Sequence, residues 1–324
     1  MNAAQLRQLL ATTIANYRRQ LYDNVTGSNL VLATLQQKGR ITPLDGGSDI
    51  RGPVVFDEED FRWYDGVDSL GRTQKETIGE AVYTPGMAAA SITLSGEEMA
   101  KNAGRSQIVK LLRAKTQNAE NTLKSGITRA LYGDGSVAKS FVGLDAIVSD
   151  TPAVGTVGGI DAAAKPWWRN KATTVAMAGA ADDRERYRRL RLGMSALYRQ
   201  CCVGTEKTDI VTLSDDVYGL YESGLQENQR YADANAAALG FDTLKYRSAT
   251  VITESAGSAH PDDNGFFLNT DFLNLEYYEG RGFDELDLPE STPDMDAVTK
   301  HIGFMGALTC YKRNRHGRLI VTGL

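Results

Sequence analysis

The side chains best suited to proton transfer near neutral pH are three histidines, His260, His301 and His316. None stands in an HExxH pattern or at zinc-ligand spacing from a cysteine. His260 precedes Pro261-Asp262-Asp263, which reads as a loop. The nucleophile candidates are no better placed. Cys201, Cys202 and Cys310 are the only cysteines, and the adjacent pair is poorly placed to bridge. An odd, low cysteine count argues against a secreted disulfide scaffold and for a reducing cytosol. No GxxxxGK[ST], GxGxxG or GxSxG is present. The acidic run Asp57, Glu58, Glu59 and Asp60 offers oxygen ligands for a hard cation, but it lacks the glycine-hinged loop of an EF-hand. A solvated or interface-facing patch is the better reading. Arg184, Arg186, Arg188, Arg189, Arg191 and Arg199 crowd one segment among Asp182, Asp183 and Glu185. Such a cluster can neutralise phosphates, but the interleaved acids favour subunit contacts or a solvated face.

Chemistry is therefore scarce, and the elements carry more information. The chain has 324 residues, 42% of them hydrophobic and 24% charged, with net charge −5. That is enough for about two compact domains and excludes a strongly basic nucleic-acid binder. No stretch approaches the roughly 18 consecutive apolar residues of a membrane helix, and the first twenty do not form a signal peptide. Residues 3–22 read as an amphipathic helix, and 23–43 as a tether with little to form a core. Strand-like runs over 51–56 and 81–94 flank a polar, turn-rich stretch, giving a long two-stranded ribbon. Such a ribbon is marginal in water by itself, and a neighbouring subunit is the natural support.

Ser95 with Glu97 and Glu98 starts a long helix to about Leu131, with Ile108, Leu112, Ala119, Leu123, Ile127 and Leu131 on one face and Gly104 as a potential break. From 142 to 292 helices and strands alternate, which suggests an α/β or α+β layer domain. The pattern predicts strands over 141–148, 209–213, 244–253 and 265–278 and a helix over 182–200. A second helix is capped by Ser214 and ends at Gly240. Two last strand candidates in 298–322 flank the basic turn that contains Lys312, Arg313 and Arg315.

Charge is segregated along this order. Residues 1–40 hold five basic groups and one acid, 44–80 four basic groups and ten acids, 96–131 seven basic and three acidic, and 296–324 five basic and one acidic. The weakly self-supporting ribbon is acidic and the elements around it basic. Complementarity of this kind steers association and fixes register.

The order of elements resembles the major capsid proteins of tailed bacteriophages, the Hong Kong ninety-seven-type fold. LDGGSDI (44–50) and WYDGVDSL (63–70) resemble the start and tip of that family's E-loop, and ITLSGEEMAKNAG (92–104) the start of its spine helix. TVGGID (156–161), PWWRN (166–170), RYADANAAALGFDTLKY (230–246) and FFLNTDFLNL (266–275) resemble its A-domain. DAVTKHIGFMGALTCYKRNRHGRLIV (296–321) resembles the closing P-domain strands.

The resemblance implies an α+β fold with an N-terminal arm at 1–43, an E-loop at 44–95, a P-domain spine at 96–141, an A-domain at 142–292 and closing P-domain strands at 293–324. It implies a structural, non-enzymatic subunit without cofactor or metal, forming hexamers and pentamers of an icosahedral head around double-stranded DNA. Other expected partners are a separate scaffolding protein, portal and decoration proteins. DNA contact would be weak and non-specific, and no membrane is involved. The interface candidates are Arg7, Arg18, Arg19, Asp57, Glu58, Glu59, Asp60, Trp63, Arg72, Lys75, Arg105, Arg113, Lys312, Arg313 and Arg315. Some relatives crosslink an E-loop lysine to a neighbour's asparagine; Lys75 suits the first role, and no partner is assigned. The rival readings are an encapsulin-type compartment shell and, from another class, a cytosolic α/β enzyme.

Overall fold

The computed structural model describes residues 29–57, 61, 63–66, 76–101, 105–226, 243–254, 260–286 and 296–324. The expected helix over 3–22 lies outside them, as do Gly104, Gly240 and the interface candidates Arg7, Arg18, Arg19, Glu58, Glu59, Asp60, Arg72 and Lys75.

Two sheets organise the chain. The first has four strands in the order β1-β12-β13-β4, where β1 is Ile41–Leu44, β4 Gly86–Ser95, β12 Leu273–Leu286 and β13 Ala297–Cys310. Helix α1 (Leu30–Gln37) precedes β1. Its apolar residues point all round, as in a helix buried on every side. Leu30, Val31, Leu32, Ala33 and Leu35 are all buried. This corrects the expectation of a coreless tether over 23–43. Asn29 caps α1 by accepting from the Val31 amide at 2.8 Å, and its Nδ2 reaches Tyr132 Oη at 3.3 Å.

The capping box forms as expected. Ser95 Oγ accepts from the Glu98 amide at 3.2 Å, and Glu98 Oε2 accepts from the Ser95 amide at 3.1 Å. It opens a short helix α2 (Gly96–Lys101), and α3 (Arg105–Tyr132) follows as the long helix, packed on β4. Leu112, Ala119, Leu123, Ile127 and Leu131 form its buried stripe.

The predicted strand over 141–148 is instead a single helical turn, α4 (Leu144–Ile147). A short apolar run cannot distinguish strand from helix by pattern alone. Close packing against the end of α3 settles it, since a Cβ on Gly143 would meet the Ala130 carbonyl oxygen at 2.2 Å.

The second sheet has six strands in the order β7-β14-β11-β8-β10-β9. These are β7 (Lys171–Ala176), β8 (Ile210–Ser214), β9 (Thr243–Tyr246), β10 (Ala249–Glu254), β11 (Asn264–Leu268) and β14 (Gly317–Thr322). All of β8 is buried, as expected of a central strand covered on both faces. Val211, Leu213, Val251 and Phe267 face helices α5 (Asp183–Cys201) and α6 (Asp215–Gln226). Ile210, Ile252, Phe266 and Leu268 face the core shared with α1, α3 and the four-stranded sheet. Asp182 caps α5 by accepting from the Glu185 amide at 2.8 Å. Ser214 does not cap α6: its buried hydroxyl has no hydrogen-bond partner, because it ends β8 inside the sheet.

The last two strands do not pair with each other. β13 belongs to the four-stranded sheet, whereas β14 runs parallel to β7 and antiparallel to β11 in the six-stranded one. Conversely β12, expected within the 142–292 unit, lies in the four-stranded sheet. Alternating hydrophobicity marks a strand but does not name its partner. Two small antiparallel pairs complete the fold, β2 (Ile50–Val55) with β3 (Ile78–Tyr83) and β5 (Thr156–Val157) with β6 (Ile160–Asp161).

Candidate subunit interface

The β2–β3 hairpin is the expected ribbon, in register from Ile50 opposite Tyr83 to Val55 opposite Ile78. Only its base is apolar on one face: Ile50, Val54, Ala81 and Tyr83 are buried. Tyr83 Oη donates to the Cys310 carbonyl at 2.6 Å, the Val82 amide donates to the Gly158 carbonyl at 2.9 Å, and Phe56 stacks on Trp167 at 4.7 Å. Gly52 lets Tyr311 lie against the strand, since a Cβ there would meet its ring at 2.0 Å. The ribbon is held from outside itself, as expected, but at its base the support comes from the chain's own residues and not from a neighbouring subunit. What remains uncovered is the far part. Trp63 is 90% exposed and Phe61 79%, their rings in an edge-on pair at 5.4 Å, and Tyr64, Val55 and Ile78 are also exposed. These rings form an exposed apolar patch, a feature that monomeric surfaces seldom carry at large size. Trp63 was legible in the sequence as a candidate; Phe61 and Tyr64 were not singled out, although their spacing around it was the available signal. Asp57, also a candidate, sits exposed where the hairpin base ends.

On the long helix, Arg113 is exposed and Arg105 opens α3. Lys115 is held within the chain, donating at 2.6 Å both to Glu98 and to the Thr93 carbonyl. The Lys115–Glu98 bond, followed by the Ser95 amide, keeps the Glu98 carboxyl below the usual range. β4 is an edge strand.

The basic turn is different from expectation. Arg313 is 1% exposed and donates to the carbonyls of Ile147 and Ala146. A neighbour cannot reach it, so it is removed from the interface candidates. Lys312 and Arg315 both bond Glu206, and Lys312 also lies 4.9 Å over the Phe272 ring. Burial would raise the Glu206 pKa, but these two cations outweigh it and lower it. Arg318 pairs with Asp145. The basic excess of 296–324 is thus largely answered inside the chain, and the turn works as a clasp between the two sheets.

Two of the histidines are interior groups. His260 packs 5.2 Å from Tyr132 and 5.1 Å from Phe266. The Pro261 carbonyl 2.9 Å from its Nδ1 can only accept, so Nδ1 carries the proton and Nε2 accepts from Thr212 Oγ1 at 3.2 Å. Burial pulls its pKa to about 4, and that of His316 to about 3. Cys201 and Cys310 are buried and pushed up to about 12 by burial, which leaves both as inert thiols.

A scan against protein-family models gives no match, and no curated protein matches the sequence. Solved structures do match. The chain is similar to a chain of the cyanophage A-1(L) capsid asymmetric unit with TM-score 0.65 and 16% identity, over 87% of this chain and 89% of that one. It is similar to a capsid chain of an empty GTA particle with TM-score 0.56 and 13% identity, over 90% of each chain. It is also similar to a chain of the mature capsid of bacteriophage PhiM1 with TM-score 0.53 and 12% identity, over 89% and 87%. At these identities the likeness is one of fold: the chain has the α+β Hong Kong ninety-seven-type capsid fold, with an E-loop hairpin, a long spine helix and a layered α/β sheet unit.

Proposed function

We propose that the chain is the major structural subunit of a bacteriophage head. It forms hexamers and pentamers that close into an icosahedral shell around double-stranded DNA, and its place is the virion. The observation that carries this reading is the fold match over 87% of this chain together with a hairpin whose far end exposes Phe61, Trp63 and Tyr64. In this reading the hairpin end and Asp57 bury against the basic long helix of a neighbour, where Arg113 is exposed. The remaining candidates, Arg7, Arg18, Arg19, Glu58, Glu59, Asp60, Arg72, Lys75 and Arg105, are proposed for the same contacts. The function is assembly, and the free energy comes from apolar area and charge complementarity gained between copies.

The test is electron microscopy of the purified protein combined with nuclease treatment of particles from infected cells. Closed shells that protect genome-length DNA are expected. Shells holding a protein cargo instead, or a stable monomer of 35 kDa that never assembles, would sink the reading.

A further inference from the structure

Helix α5 carries its acids at its start, where Asp183 and Glu185 bond Arg186 and Arg189. The remaining arginines, Arg184, Arg188, Arg191 and Arg199, recur at steps of four, three and eight. That spacing places them on one stripe. Among the described residues none of the four has an ion-pair partner, and all are exposed. The stripe borders a concavity of about 520 Å³ between α5, the end of α6 and the β9–β10 turn. Among the described residues its lining includes Arg188, Arg191, Tyr221, Lys245, Tyr246 and Arg247 and no carboxylate. Arg247 is fixed there. It sits in the left-handed region at φ 55°, donates to Ser195 Oγ at 3.0 Å and stacks over Tyr198 at 4.9 Å. A cation held this way is preorganised for an anionic partner.

The opposite end of the same sheet is acidic. Asp215 and Asp216 follow β8, and the β11–β8 register carries Asp263 level with Asp215, with Asp262 beside it. Among the described residues Asp216, Asp262 and Asp263 have no ion-pair partner, and Asp216 and Asp262 are exposed. β10 separates this rim from Arg247 by roughly 17 Å, five steps of about 3.3 Å. Among the described residues no ion pair joins the two patches within one copy.

We propose that the basic groove receives the acidic rim (Asp216, Asp262, Asp263) of the next copy around a capsomer ring. This deepens the shell reading and rests on it. A closed ring needs a heterologous contact, made by two different patches that match head to tail, which these do. Packaged DNA could also supply anions, but the acidic rim on the same sheet unit gives the groove a partner of fixed position and matching chemistry.

The test compares the parent with Arg188→Glu/Arg191→Glu, with Asp216→Lys/Asp262→Lys and with all four changes combined. Sedimentation and electron microscopy read assembly, and circular dichroism reads the fold. Each pair is expected to cut particle yield at least tenfold with the fold kept, and the combination to restore most of it. Either pair assembling like the parent overturns the proposal, as does a combination no better than its parts. Arg188→Ala/Arg191→Ala covers the case of a reversed pair that does not fold. It should assemble less than the parent at low salt, with the gap narrowing as added salt screens the contact; unchanged assembly at low salt overturns the proposal. Normal particles that have lost only nucleic acid would reassign the groove to DNA and overturn it too. If the parent itself forms no capsomers, the shell reading fails, and that outcome is distinct from all of these.

Discussion

At the residue scale, His260 and His316 leave a trace measurable in solution. Each is neutral in the folded chain, His260 half-buried with a pKa near 4 and His316 fully buried with one near 3. For His260 the approach of Arg318 adds to burial, while Asp145 opposes it; for His316 the added cation is Arg313. In the unfolded chain both titrate at about 6.5. The unfolded state therefore binds protons first as pH falls. Their contribution to stability is complete above about pH 6.5 and is lost through the window down to the folded values. At pH 5 each costs about 2 kcal/mol relative to pH 7. Replacing His260 by Phe, which suits its aromatic neighbours, should flatten the stability–pH curve between pH 6.5 and 4 by the slope of about one proton. Denaturant titrations of unassembled subunit at pH 7 and pH 5 measure it. An identical pH dependence in variant and parent would show that His260 is not held neutral.

At the element scale, what the sequence made legible was element type, and what it hid was partnership. The capping box at Ser95 and Glu98, the buried stripe of the long helix and the alternation in β2 each follow from local pattern, and each formed. The pairing of β14 with β7, across nearly 150 residues of chain, has no local signature. Arg313 read as a surface cation because charge usually means solvent. Only the carbonyls at the end of α4 explain its burial, and those are close only in the folded molecule. The same limit applies to the hairpin, whose composition marked it as weakly self-supporting but could not show that Trp167, Gly158 and Cys310 hold its base. This narrows the assembly argument to the far end. Phe61→Ala with Trp63→Ala removes two exposed rings, and such surface changes move subunit stability by about 0.5 kcal/mol or less. If the rings bury at an interface, each is worth about 2 kcal/mol there. The double variant should melt like the parent yet need at least tenfold more subunit to assemble, as read by light scattering against concentration. Unchanged assembly would remove the hairpin end from the interface.

At the scale of the whole molecule, the two sheets are one cooperative body. The core under the four-stranded sheet contains Ile210, Ile252, Phe266 and Leu268 from the six-stranded one, so neither sheet can lose its packing alone. The chain also crosses between them repeatedly, from β11 to β12 and from β13 to β14. The second crossing is the clasp. Tyr311 Oη donates to Glu276 at 2.7 Å, Lys312 and Arg315 bond Glu206, Arg313 donates to the Ile147 and Ala146 carbonyls, and the Lys171 amide donates to the His316 carbonyl at 2.9 Å. Such a joint makes strain at one sheet be borne by both. Glu206→Gln removes the charge shared by Lys312 and Arg315. Both pairs are part-exposed, so screening limits the loss to about 1 kcal/mol. Calorimetry of unassembled subunit should show a single transition in the parent, and in the variant a single transition shifted down by a few degrees. The difference should shrink below pH 4.5, because Glu206 in the parent gives up its charge as pH falls through its lowered folded pKa. Two separate transitions, or a shift in only part of the melt, would mean that the sheets unfold independently and that the clasp does not couple them.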